Sequence, residues 1–294
     1  MKTDRYGILA QRGQDWARLV ANLRQIEGAV ASIPFEPFFE PISELVGHGA
    51  DSPLKLASIT ALHLNAWTRH VAYGTIVRLG SLTGPCLDLL GENQMIAAGL
   101  LERAILEHAA RAAYSLEALT DAYKSKSWDK MRELIPRVLF GTCLTNPKDT
   151  IFAELAEDTA QRPTKPSKLI DSLESFAGTS ETTGKSFFGG LYSFLCDLTH
   201  ASQRANSAFC EVLSDNASGW FLEYKKREEE NGEALLGALR AAARCLQAGY
   251  GACALLLRWS FDDGMPNLVA STPGEKDRAW IWNEILDPQL VFWP

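Results

Sequence analysis

Strict alternation of Val, Ile and Thr with polar residues is scarce throughout the chain, which argues against a sheet as its organising element. Long hydrophobic runs are scarce too. The most apolar stretch, "CLQAGYGACALLL" from Cys245 to Leu257, is interrupted by Gln247 and bounded by Arg244 and Arg258. It falls short of the ~20 apolar residues that a membrane span requires, so no membrane partner is expected. There is no cationic excess: 29 Lys and Arg stand against 36 Asp and Glu, for a net charge of −7. That balance excludes extended DNA binding along a basic face and leaves room only for a local RNA or nucleotide contact. The cysteines Cys86, Cys143, Cys196, Cys210, Cys245 and Cys253 contain no C-x-x-C pair, and most sit among apolar neighbours as buried free thiols do. A reducing compartment follows. The first residues, "MKTDRYGILAQRGQDW", lack an apolar core and a small-residue cleavage site, so no secretory signal is expected and the location is read as cytoplasmic. No repeat of about 20 to 50 residues is visible, which argues against a solenoid.

What is present in quantity is Ala and Leu at helical spacing. At 46% hydrophobic over 294 residues, the chain can bury a sizeable core without disulfides. The pattern predicts an all-α protein: a single helical bundle over residues 1–265, with long central helices and an irregular aromatic C-terminal tail over 266–294. A first helix is expected over Gln11 to Ser32, stopped by Pro34, Pro37 and Pro41. A second is expected over Leu54 to Leu79, broken by Gly80, Gly84 and Pro85, and a third over Glu92 to Ser125. "SWDKMRELIPRVLF" supplies a shorter helix bent at Pro136. The polar stretch 146–185 reads as a flexible insertion, although its "LIDSLESFA" has helical spacing. Two more helices are expected over Phe187 to Leu213 and Phe221 to Phe261, the latter opening with "KKREEE", a solvated charged face. The tail, with Trp280, Trp282 and Trp293, is of the kind that covers a groove on its own domain or on a partner subunit.

One helix interrupts its apolar character with charge. In "LERAILEHAARAAY", at ~100° per residue, Arg103 at 0° puts Glu107 near 40° and Arg111 near 80°, while Leu101, Ile105, Ala109, Ala112 and Leu116 gather near 200°. A helix so apolar, with one narrow charged track, belongs at the middle of a bundle. Buried guanidinium needs a partner, and Glu107 lies one turn away. Either the pair fixes helix register or faces solvent, or it lines a pocket. A second polar row lies in "LYSFLCDLTHASQR": Tyr192, Cys196 and His200 at i, i+4 and i+8, with Arg204 extending it and Asp197 three residues before His200. If this row faces the charged track, Arg103, Glu107, Tyr192 and His200 converge inside the bundle. The bland alternative for His200 is a hydrogen-bonded histidine near a helix end.

An R-x-x-x-E helix followed by a Y-x7-H helix resembles a set of uncharacterised bacterial helical proteins, whose bundles are similar to the HEPN (higher eukaryote and prokaryote nucleotide-binding) superfamily. The resemblance spans Gln94 to Phe209, about 40% of the chain, on short motifs. It implies metal-independent RNA cleavage, often by a dimer in toxin or phage-defence systems, through an R-x4-6-H motif. "RAILEH" matches that motif, giving Arg103 the phosphate and His108 the proton transfer. Ala104, however, stands where active members usually have a polar residue, and Arg103 and His108 lie about 140° apart on an ideal helix. Two functions therefore stand side by side. One is a non-catalytic HEPN-like binding or regulatory protein, acting as a homodimer or with a partner protein. The other is an endoribonuclease with Arg103 on phosphate and His108 or His200 as general acid/base. In both, Arg103, His108 and His200 carry any chemistry, and Glu107, Arg111, Tyr192 and Asp197 carry binding. No cofactor or metal is called for.

Other chemistry is weaker. "TSETTGKSFF" carries the G-K-S of a P-loop in Gly184, Lys185 and Ser186, but Thr179 stands where the loop needs Gly, and no strand precedes it. Asp197, His200 and Glu107 would make a sparse metal site, a lesser alternative. His63 and His70 lie roughly 10 Å apart along a helix axis, too far to share an ion. Cys196 precedes His200 by one turn, yet between Leu195 and Leu198 a thiol is more often core than nucleophile.

Overall fold

The computed structural model describes residues 10–11, 13–31, 53–124, 164–178, 186–200, 210–215, 219–224 and 232–261. Among these the protein is all-α in architecture. Six helices carry it: α1 (Gln14–Ala31), α2 (Pro53–Gly91), α3 (Met95–Lys124), α4 (Pro166–Ala177), α5 (Phe187–Thr199) and α6 (Gly232–Phe261). A two-stranded antiparallel hairpin, β1 (Cys210–Asp215) with β2 (Gly219–Tyr224), lies between α5 and α6 in the chain. No helix among the described residues is long and apolar enough to cross a membrane. The expected helix at "SWDKMRELIPRVLF", the Pro-rich stop after α1, the "KKREEE" run and the aromatic tail lie outside the described residues.

The middle of the bundle is α3, which packs against α2, α4, α5 and α6, while α1 docks on α6. Its core face is built from Ile105, Leu106, Ala109, Ala110, Ala112 and Ala113, all buried. The alanines let neighbouring helices come close. At the α3/α6/α2 crossing, a Cβ on Gly249 would stand 2.9 Å from Ala109 Cβ and Leu79 Cδ1 and 3.1 Å from Ala109 Cα. At the α3/α5 crossing, a Cβ on Gly99 would stand 2.7 Å from Leu198 Cδ2.

Two boundaries depart from expectation. The second helix does not break at Gly80, Gly84 and Pro85 but runs through them to Gly91. Leu79, Cys86, Leu87 and Leu90 are all buried, so packing on α3 and α6 outweighs the ~3 kcal/mol that an interior proline costs a helix. The real stop is Asn93, at φ 58. Its N–H bonds to Leu90 O at 3.2 Å and that of Gln94 to Leu89 O at 2.9 Å, the paired closure of a Schellman motif with Asn in the left-handed position. The fifth helix likewise ends at Thr199 rather than Leu213, because His200 turns extended at φ −90 and ψ 164. Residues 210–213 and 221–224, expected as helix, are strand, in a hairpin paired from Cys210↔Tyr224 to Asp215↔Gly219. The aromatic run Trp220, Phe221, Tyr224 and a three-residue connection opened by Asn216 favour a hairpin over a helix.

Inside the stretch read as a flexible insertion, Pro166 at the first helical position starts α4, whose Leu169, Ile170 and Leu173 are buried against the rest of the core. Gly178, at φ 65, ends it.

Candidate functional site

Both ends of α5 meet a charge from another helix. At its start, the buried Glu174 of α4 accepts from the backbone N–H of Phe187 (Oε1, 2.8 Å) and of Phe188 (Oε2, 2.8 Å), and from the Ser186 hydroxyl at 3.2 Å. Ser186 is the N-cap, accepting from the Gly189 N–H at 3.0 Å. These are the groups that a helix N-terminus leaves without partners, and a carboxylate also answers its partial positive charge. The place a phosphate would take in a P-loop is therefore filled by Glu174. Gly184 and Lys185 lie outside the described residues.

At the other end stands Arg103. Its Nε donates to Glu107 Oε1 at 3.0 Å, and its Nη1 to Thr199 Oγ1 at 3.3 Å. The same Nη1 lies 3.4 Å from His200 Nε2. Arginine only donates, so as a hydrogen bond this contact has Nε2 as the acceptor. The guanidinium carbon sits 5.5 Å from the centre of the Tyr192 ring, within cation–π range. Thr199 keeps its own proton on Leu195 O at 2.7 Å, leaving the hydroxyl oxygen to accept from Arg103. The expected convergence of Arg103, Glu107, Tyr192 and His200 is thus present. It forms at the rim of the bundle rather than inside it: the Arg103 and Glu107 side chains are 26% and 43% exposed, and His200 is exposed.

The electrostatics of this rim are close to balanced. Glu107 offsets the guanidinium, and the C-terminal end of α5, ending at Thr199, adds partial negative charge. Burial pushes the Tyr192 phenol up from its ordinary value, with Cys196 and Glu107 adding to the effect and Arg103 opposing it. Among the described residues the Arg103 Nη2 carries no hydrogen bond, so two N–H donors of the guanidinium are left without an acceptor there.

His108 belongs elsewhere. Burial, then Arg78 of α2 and Arg111 one turn on, push it down from 6.5 to about 4, so it is neutral at ordinary pH. Arg111 is half-buried and acts on His108, and Asp197 is exposed on α5. Arg204 lies outside the described residues. Among the described residues no group of three or more His, Cys, Asp or Glu is placed to hold a metal ion, so Asp197, His200 and Glu107 do not form a ligand set.

No family model, curated protein or solved structure matches the chain.

Several working residues escaped sequence reasoning. Thr199 and Glu174 give no sequence signal, because each acts through a partner more than ten residues away. Glu102 did give one. At about −100° from Arg103 it falls on the apolar face, and it is 4% exposed.

Proposed function

We propose that the chain is a HEPN-like helical protein of binding or regulatory type, cytoplasmic, whose ligand contact is the Arg103 rim between α3 and α5. It works as a homodimer or with a partner protein in a bacterial defence or toxin setting. The observation that supports this best is the state of Arg103. Glu107, Thr199 and Tyr192 fix the guanidinium at the rim, partly exposed, with Nη2 lacking an acceptor among the described residues. Such a group suits reversible contact with one acceptor on a ligand. It suits phosphoryl chemistry less, because Glu107 and the α5 terminus already offset its charge, and a catalytic arginine has to meet developing negative charge.

The second reading, a metal-independent endoribonuclease, draws support from one distance: His200 Nε2 lies 3.4 Å from the Arg103 guanidinium. In that reading Arg103 stabilises the phosphate and His200, rather than His108, is the general acid/base. Expression of wild type, Arg103→Ala, His108→Ala and His200→Ala in a heterologous bacterium, scored for growth and RNA integrity, separates the two. Toxicity lost in Arg103→Ala and His200→Ala establishes the nuclease, and equal growth with intact RNA in all four removes it. Arg103→Ala is expected to melt within about 2–4 °C of wild type, the cost of ~1 kcal/mol of helix-end electrostatics. A loss of about 10 °C or more makes the Arg103–Glu107 pair a structural element instead.

A further inference from the structure

The more deeply buried of the two buried carboxylates among the described residues takes no part in the rim. Glu102 lies on the core face of α3, 4% exposed, and its Oε1 has no hydrogen-bond partner among the described residues. Two buried thiols feel its charge: Cys86 of α2, whose Sγ lies 3.9 Å from Ala98 O, and Cys245 of α6. The charged groups on the other elements around α3 are engaged elsewhere. Glu174 of α4 caps α5, Lys168 of α4 lies 5.3 Å over the Tyr114 ring, and Arg103 faces Glu107 and Thr199. Arg244 of α6, next to Cys245, lies 4.6 Å over the Phe187 ring. Among the described residues burial is the one influence on Glu102, and no cation offsets a carboxylate there.

We propose that Glu102 is a proton-operated latch at the α2/α3/α6 crossing: neutral, it allows the three helices to close, and ionised, it loosens their shared packing. A carboxyl in an apolar site without a counter-ion is tolerated only uncharged, and ionising it requires water or separation of the walls. Burial pushes Glu102 up from 4.5 to about 8, which places the transition just above neutral pH.

The two buried thiols report the state of the latch. In the full chain, N-ethylmaleimide labelling of Cys86 and Cys245, read by mass spectrometry, is compared between wild type and Glu102→Gln from about pH 6.5 to about pH 9. Charge alone works against labelling in wild type, because a Glu102 carboxylate pushes both thiols further up. Opening reverses that sign: the wild-type rate relative to the variant is expected to rise about tenfold or more across this range. Cys253, buried on the same helix beside Thr75, is the control and is expected to gain less. Glu102→Leu, neutral and free of a buried amide donor, repeats the comparison if the Gln variant does not fold. Wild-type labelling at Cys86 and Cys245 that equals or trails the folded neutral variant throughout overturns the latch.

Discussion

At the scale of single residues, the same helix holds two basic groups in opposite roles. Arg103 keeps its charge at a rim where a carboxylate, a hydroxyl and a ring face it, whereas His108 loses its charge between Arg78 and Arg111. Burial and two like charges both disfavour the imidazolium, so the shift is downward. A histidine lowered on folding contributes stability that is present above its unfolded value of 6.5 and is lost as pH falls towards about 4. NMR titration of the His108 ring is expected to show a midpoint well below 6.5, and His108→Gln is expected to unfold less steeply in acid. A His108 that titrates at its ordinary value contradicts this placement. The charged track was legible in the sequence because helical periodicity is a property of neighbours. The separation of His108 from Arg103 was legible for the same reason. The partners Thr199, Glu174 and Arg78 were not, because they arrive from other helices.

At the scale of elements, close approach decides more than propensity. Pro85 and Gly84 stand inside α2 because Leu79, Cys86, Leu87 and Leu90 are buried against α3 and α6, and an inward-facing helix overrides its breakers. That is why a boundary placed by Gly and Pro failed while the Schellman closure at Asn93 ended the helix. The all-α reading survived because long periodic segments such as α3 and α6 carry it. The hairpin was missed because β1 and β2 are six residues each, too short for periodicity to separate strand from helix. Close packing also sets the sign of glycine substitutions in α6. Gly237 has nothing within 4 Å of an added Cβ, so Gly237→Ala is expected to stabilise by ~1 kcal/mol. Gly249→Ala drives a methyl into Ala109 Cα and Leu79 and is expected to destabilise by ~1–3 kcal/mol. Urea denaturation of both variants checks the contrast, and equal shifts contradict the α2/α3/α6 crossing.

At the scale of the whole molecule, the bundle carries one buried and one half-buried group of opposite pH preference. Glu102, raised on folding, gives stability that is full below its unfolded value of 4.5 and is lost as pH rises through about 8. His108 runs the other way between about 4 and 6.5. The two oppose each other from 4.5 to 6.5, and above that Glu102 acts alone. The urea midpoint of wild type is therefore expected to fall relative to Glu102→Leu between about pH 6.5 and about pH 8, and a parallel pair of profiles contradicts the burial of that carboxyl. The functional claim rests on the next residue of α3, where the Arg103 guanidinium is partly exposed at the surface. Its most direct test is an NMR titration read at the Arg103 Nε–H resonance, assigned by its loss in Arg103→Ala, with inorganic phosphate and a short single-stranded RNA as probes. A saturable shift at Arg103 with either probe, absent at the control resonance of Arg78, is the expected result. An Arg103 signal that both probes leave in place contradicts the rim as a ligand-binding site.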